Sequence, residues 1–215
     1  MVKKLISVLF LGLILGPIKA VAHEFVWDNL VLAAMKVQPD LDYEGYVDSY
    51  MQVFRPEVWH RYKNDEFELQ DKRDETVEIM KNKISSFSLD EEFVIHTAFK
   101  FGDYDFEKQV FPLDALYPET YFFDSDVRRA AGAFSHEYKV FFRNPGKVDF
   151  ISMSKEDARG FVKSRKHHNG YVNREVAATL KFRIVGLTGR NELEAELTEV
   201  IVYRDAQRTT PLQKY

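Results

Sequence analysis

The chain has 215 residues, 45% hydrophobic, 14% aromatic and 30% charged, with a formal net charge of −4. That balance excludes a wholly disordered or collagen-like chain. The lack of cysteine excludes disulfides, Cys-ligated zinc or iron–sulfur centres, a Cys nucleophile and a lipid-modified N-terminal Cys.

Residues 1–22 read as a secretory signal peptide. Lys3 and Lys4 supply the basic start, and Leu5 to Leu15 form an apolar run too short for a stable bilayer anchor. Gly16 and Pro17 break the helix, and Ala20-Val21-Ala22 gives the small-x-small pattern for cleavage before His23. The competing reading is an uncleaved anchor. Removing Lys3, Lys4 and Lys19 from 30 basic residues, and no acid from 34, leaves 27 against 34, a net charge of −7. Such a surface disfavours nucleic acid and anionic lipid. No later stretch approaches a second membrane segment. The expectation is a soluble periplasmic protein of a Gram-negative cell, with no stable membrane anchor after signal cleavage. Bacterial origin is inferred from the compact leader.

The remainder predicts a single α+β domain over 23–205, helical over about 24–86 and sheet-forming over about 87–205, with a polar, frayed tail at 206–215. Residues 24–37 are apolar and helix-like. Asp40 or Asp42 can cap a second helix, whose stripe is Tyr43, Tyr46, Val47, Tyr50, Met51 and Phe54. Pro56 ends or kinks it. A third helix is expected from about 57 to 85. From Phe93 the period becomes two: Phe93, Ile95, Phe99 and Phe101 face one way, His96 and Lys100 the other. Gly102-Asp103 reads as a turn and 104–113 as the returning strand. Residues 114–131 read as a long loop, and Phe134 to Phe142 as another strand with His136 half-buried.

Ser154-Lys155-Glu156-Asp157 is a capping box opening a helix that runs through Arg165, with His167-His168 at its C-terminus and Gly170 as its C′ residue. Val176 to Ile184 and Leu193 to Leu197 alternate strongly around a turn at 186–191, where Lys181 and Arg183 can pair with Glu192, Glu194 or Glu196. The predicted fold has N-terminal helices on a mostly antiparallel sheet, with one further helix before a long C-terminal hairpin.

No catalytic signature is present. His136-Glu137 fails H-E-x-x-H because Val140 stands where the second His belongs. Asp103 and Asp105 can serve as an acid/base pair or cation ligands, or simply as turn residues. Ser135 and His136 fall on opposite strand faces. His167 and His168 diverge on a regular helix and suit capping better than metal binding. No cofactor and no metal site is expected. The remaining ligand-binding candidates are Tyr117, Tyr121, Phe122 and Phe123, flanked by Arg128 and Arg129. Such aromatics can stack on a ligand while Arg holds a carboxylate, or can tuck into the core.

Tyr62 to Glu68, Phe101 to Phe106 with Phe111, and the Ser154–Arg165 helix before Arg174 resemble an uncharacterised family of small exported proteobacterial proteins, a domain of unknown function. The resemblance implies an envelope location and supplies no activity and no functional residue. The leading expectation is a non-enzymatic binding or assembly protein of the bacterial envelope, whose partner is an envelope protein or peptide paired with an edge of the C-terminal hairpin. The alternatives are a hydrolase of an envelope polymer using Asp103, Asp105 and His136, or a small-ligand or metal binder acting through the aromatic loop.

Overall fold

Acidic residues cut the helical part into segments by accepting free N–H groups of a first turn, and one proline does so by having no N–H to satisfy. The computed structural model describes residues 22–215, so the signal segment, apart from Ala22, lies outside the described residues. A short strand β1 (His23–Glu24) leads into α1 (Trp27–Lys36), α2 (Tyr43–Phe54), α3 (Pro56–Tyr62) and α4 (Glu66–Ser86). Asp42 caps α2 by accepting the Gly45 N–H at 3.0 Å. Pro56 opens α3, where a missing N–H costs nothing. Asp65 caps α4, accepting the N–H groups of Phe67 and Glu68 at 3.1 Å. The helix expected over 57–85 is therefore two, because Asp65 bonds the backbone ahead of it and starts a new helix.

The strands are β2 (Phe93–Phe101), β3 (Val110–Asp114), β4 (Tyr121–Ser125), β5 (Glu137–Phe142), β6 (Phe150–Ser152), β7 (Glu175–Gly189), β8 (Glu192–Tyr203) and β9 (Pro211–Lys214), with α5 (Lys155–Ser164) between β6 and β7. The order is β4-β5-β8-β7-β2-β3-β6, with β1 beside β2 and β9 beside β8. All pairings are antiparallel except β1–β2 and β5–β8. The fold is α+β, with helices leading and the long hairpin at the C-terminal end. Among the described residues no helix is long and apolar enough to cross a membrane.

Alternation puts Val176, Ala178, Leu180, Phe182 and Ile184 of β7 on the buried face, beside Phe93, Ile95, Phe99 and Phe101 of β2. Phe182 stacks on Phe93 at 5.6 Å and meets Phe142 and Phe25 edge-on at 5.2 and 6.1 Å. Helix α1, buried along most of its length, lies against this layer. Its first N–H, on Trp27, donates to the Asp124 carboxylate at 2.6 Å, so an acid of β4 caps it from 97 residues away.

Several expectations need correction. Residues 121–125 of the presumed loop form β4, because Tyr121, Phe122 and Phe123 pair with β5. The tail is not frayed: β9 pairs with β8, and Tyr215 exchanges backbone hydrogen bonds with Val200. The hairpin turn is shorter than 186–191, since β7 runs to Gly189. Lys181 pairs with Glu199, and Arg183 with Glu92. His136 is exposed and precedes β5. Helix α5 stops at Ser164, so His167 and His168 lie beyond it, and Gly170 (φ 88°) serves the next turn, donating to the His167 carbonyl.

The hairpin is also interior, which closes the edge expected to take a partner. On its side away from β7, β8 pairs with β5 over 192–195 and with β9 over 201–203. Between them the Asn144 amide donates to the Leu197 carbonyl at 3.1 Å and accepts the Leu197 N–H at 2.9 Å.

Phe182→Ala is expected to cost about 3–5 kcal/mol in urea unfolding, because three aromatic neighbours lose their partner. Glu199 is held below its ordinary pKa first by the Lys181 ammonium and then by that of Lys214. A lowered carboxyl pKa stabilises the fold above the unfolded value, about 4.3, and the gain is lost as pH falls through the folded value. Glu199→Gln should therefore cost up to about 1 kcal/mol at pH 7, and variant and parent should converge near pH 3.

Candidate functional site

The polar residues singled out from sequence do not converge. Asp103 sits exposed after β2, in an ion pair with Arg174 at 2.6 Å. The Asp105 carboxylate accepts the N–H groups of Lys108 and Glu107 at 2.9 Å each, which keeps its pKa below the usual carboxylate value. His136 stands at the start of β5, three strand spacings from β2, a lateral separation of about 14 Å. The two acids are thus occupied by local contacts, and the His lies across the sheet.

The aromatic candidates divide by strand parity. Tyr121 and Phe123 face outward, and Phe122 turns inward against Phe142 at 5.9 Å. Tyr121 packs on Phe141, with the Lys139 ammonium 4.8 Å from its ring centre. Tyr117 donates its hydroxyl to Asp114 at 2.8 Å, which raises its pKa. Arg129 belongs to the helical side: it pairs with Asp28 at 2.6 Å and covers the Trp27 and Phe54 rings at 5.5 and 5.3 Å. Arg128 is exposed, with its backbone N–H donating to Asp126.

A different group of residues does converge. Beyond α5, Arg165 lies 4.5 Å from the Phe161 ring centre and donates to the carbonyls of Glu175 and Arg204. Arg204 opens the β8–β9 connection, its guanidinium 5.5 Å from the same Phe161 ring. That connection is pinned by Asp205, whose carboxylate accepts the N–H groups of Thr209 and Thr210 at 3.0 and 2.8 Å. Arg208, at φ 60°, completes the loop, and its Nε is buried without a hydrogen-bond partner. A non-glycine residue in this backbone region is costly and must be held by its surroundings.

The three arginines line a cleft of about 580 Å³ beside the C-terminal end of α5. Its floor is His96, Thr97 and Ala98 of β2 with Ala177 of β7, and Glu175 is the one carboxylate on its lining. Ala98 and Ala177 are register partners. Two methyl side chains opposite each other leave the cleft its depth. Among the described residues, arginine ion pairs involve Arg55, Arg73, Arg129, Arg143, Arg174 and Arg183; Arg165, Arg204 and Arg208 form none. Burial, and then the neighbouring Arg204 cation, pull the Arg165 pKa below the ordinary arginine value. Chemically, the cleft offers guanidinium donors, with one imidazole and one carboxylate on the same lining. Its preferred guest is a carboxylate or another planar oxyanion.

A family profile described as a domain of unknown function (DUF4852) matches residues 42–164, more than half of the chain. The chain belongs to this family. No curated protein and no solved structure matches it. The family match takes in α2 through α5 and the β2 floor of the cleft; Arg165 lies just beyond it, and Arg204 and Arg208 lie far beyond it, past β7 and β8.

Sequence reasoning missed these arginines. Arg165 read as the last turn of a helix, and Arg208 as part of a frayed tail. The available signal was two cations, Arg204 and Arg208, bracketing Asp205 near the end of an acidic chain. Arg129→Ala is expected to lower stability by about 1 kcal/mol, read as a shifted urea midpoint, through its stacking on Trp27 and Phe54.

Proposed function

We propose that the protein is an exported, non-enzymatic binding protein of the bacterial envelope, and that its ligand presents a carboxylate to the Arg165–Arg204–Arg208 cleft. The export part rests on the sequence from Lys3 to Ala22. The binding part is carried by one observation: three arginines line one open cleft and none has an ion-pair partner among the described residues, although the chain is acidic overall. Like charges brought together cost free energy that a bound anion recovers. The binding reading is favoured over a hydrolase because Asp103, Asp105 and His136 stand apart.

The test is a titration of the isotope-labelled protein with succinate and N-acetylglutamate at low salt, followed by NMR. Shifts are expected at the Arg204 and Arg208 Nε–H signals and at the amides of His96 to Ala98. In Arg204→Ala/Arg208→Ala the response at the amides of His96 to Ala98 should vanish while the variant keeps its native spectrum elsewhere. Absence of any response in the parent protein at tens of millimolar ligand would overturn the reading.

A further inference from the structure

The arginine cleft carries one acid that none of its cations answers. Glu175 opens β7 and lines the cleft together with Arg165, Arg204 and Arg208. Its backbone is engaged: the N–H donates to the Asn173 side chain at 2.9 Å, and the carbonyl accepts from the Arg165 guanidinium at 2.6 Å. The residue is exposed. Among the described residues its carboxylate enters no ion pair, either with the three arginines or with Lys100, its register partner on β2.

Arg165 keeps the acid and the cations close together. One of its terminal nitrogens bonds the Glu175 carbonyl and the other the Arg204 carbonyl, so one guanidinium ties the start of β7 to the end of β8. Those bonds aim Arg165 at the backbone and away from the Glu175 carboxylate. That carboxylate stands no further from the bonded carbonyl than its own side chain reaches, and the Arg204 side chain starts from the residue bonded on the other side. Arg208 is held by its backbone N–H, which donates to the Asp205 carbonyl at 3.2 Å, while its buried Nε has no partner.

The lining thus offers unpaired groups of both signs: two arginines that bond nothing with full charge, and one carboxylate. A guest that carries carboxylates alone suits the arginines but faces Glu175 as a like charge. A guest with two carboxylates and one ammonium matches Arg204, Arg208 and Glu175 together. The floor suits a small guest, since Ala98 and Ala177 present only methyl groups and the cleft volume of about 580 Å³ is that of a small-molecule site.

We infer that the cleft is a site for a free acidic α-amino acid, glutamate or aspartate, with its two carboxylates at Arg204 and Arg208 and its ammonium at Glu175. The inference rests on the carboxylate-binding reading above and names the ligand class. The arginines supply the affinity. Glu175 selects for the amine by repelling anions that lack one. Arg165 is a positioning residue that fixes the distance between the two sides.

The probes are L-glutamate, glutarate and N-acetyl-L-glutamate. All three carry two carboxylates on the same length of carbon chain, and only the first carries an ammonium. Calorimetry at low salt should show L-glutamate binding about tenfold or more tighter than the other two, the gain of one charge-assisted hydrogen bond. In Glu175→Gln, L-glutamate should weaken by about tenfold, whereas glutarate should bind unchanged or tighter because a repelling charge is gone. A purely structural role for Glu175 would move both ligands the same way. The Glu175 carboxylate has no partner among the described residues, so the amide of the same shape should leave the fold intact. If that variant does not fold, the ratio of glutarate to L-glutamate affinity in the parent protein decides the point.

Equal binding of L-glutamate and glutarate by the parent protein would overturn the inference and leave the carboxylate site standing. A preference for L-glutamate that survives Glu175→Gln would overturn it as well. Silence towards all three ligands at tens of millimolar, or binding that survives Arg204→Ala/Arg208→Ala, would overturn both the inference and the reading it rests on.

Discussion

The structure depends on the buried face of β7. This fifteen-residue strand carries Val176, Ala178, Leu180, Phe182 and Ile184 on one side, and it is the partner of both β2 and β8. A single apolar stripe of that length cannot be satisfied by one neighbour. It needs a strand on each side to meet its backbone and a helix layer to cover its side chains. Helix α1 meets the second need. It is apolar nearly all round, so it is stable only when enclosed between the sheet and the outer helices. The long-range cap from Asp124 to Trp27 ties that helix to the far edge of the sheet.

The opposite face of the same strands was released from this constraint and carries the polar chemistry. Lys181 and Glu199 pair there, and Ala98 and Ala177 keep the surface low near one end. The β8–β9 connection curls beside that low surface, bringing Arg204 and Arg208 to Arg165 from α5. The aromatic rings of Phe101 and Phe161 are the shared support: Arg165 lies over both, and Arg204 lies over Phe161. A packed aromatic pair thus fixes cations that would otherwise repel one another, so the site stands on the core rather than on a flexible loop.

The edges of the sheet show the same economy. β8 is closed on its outer side by β5, the Asn144 amide and β9, while β2 is left open over its middle.

The sequence by itself determined the class and most elements. Alternation at Val176–Ile184 and Phe93–Phe101 is legible because one face of each strand is buried and the other is not. Ser154 is legible as a cap, and Asp42 as one of two candidates with Asp40, because capping is local chemistry within three residues. The same locality explains the misses. Asp65 splits a helix whose periodicity runs on across the break. Tyr121 to Phe123 become a strand only because β5 stands beside them, and the Pro211–Lys214 strand exists only because β8 offers an edge. The arginine cleft gathers residues from α5, β2, β7 and a loop more than a hundred positions from Thr97, a separation that no spacing rule spans. Local periodicity decided what each segment is. Tertiary packing decided which edges are filled, which stay open, and which cations meet.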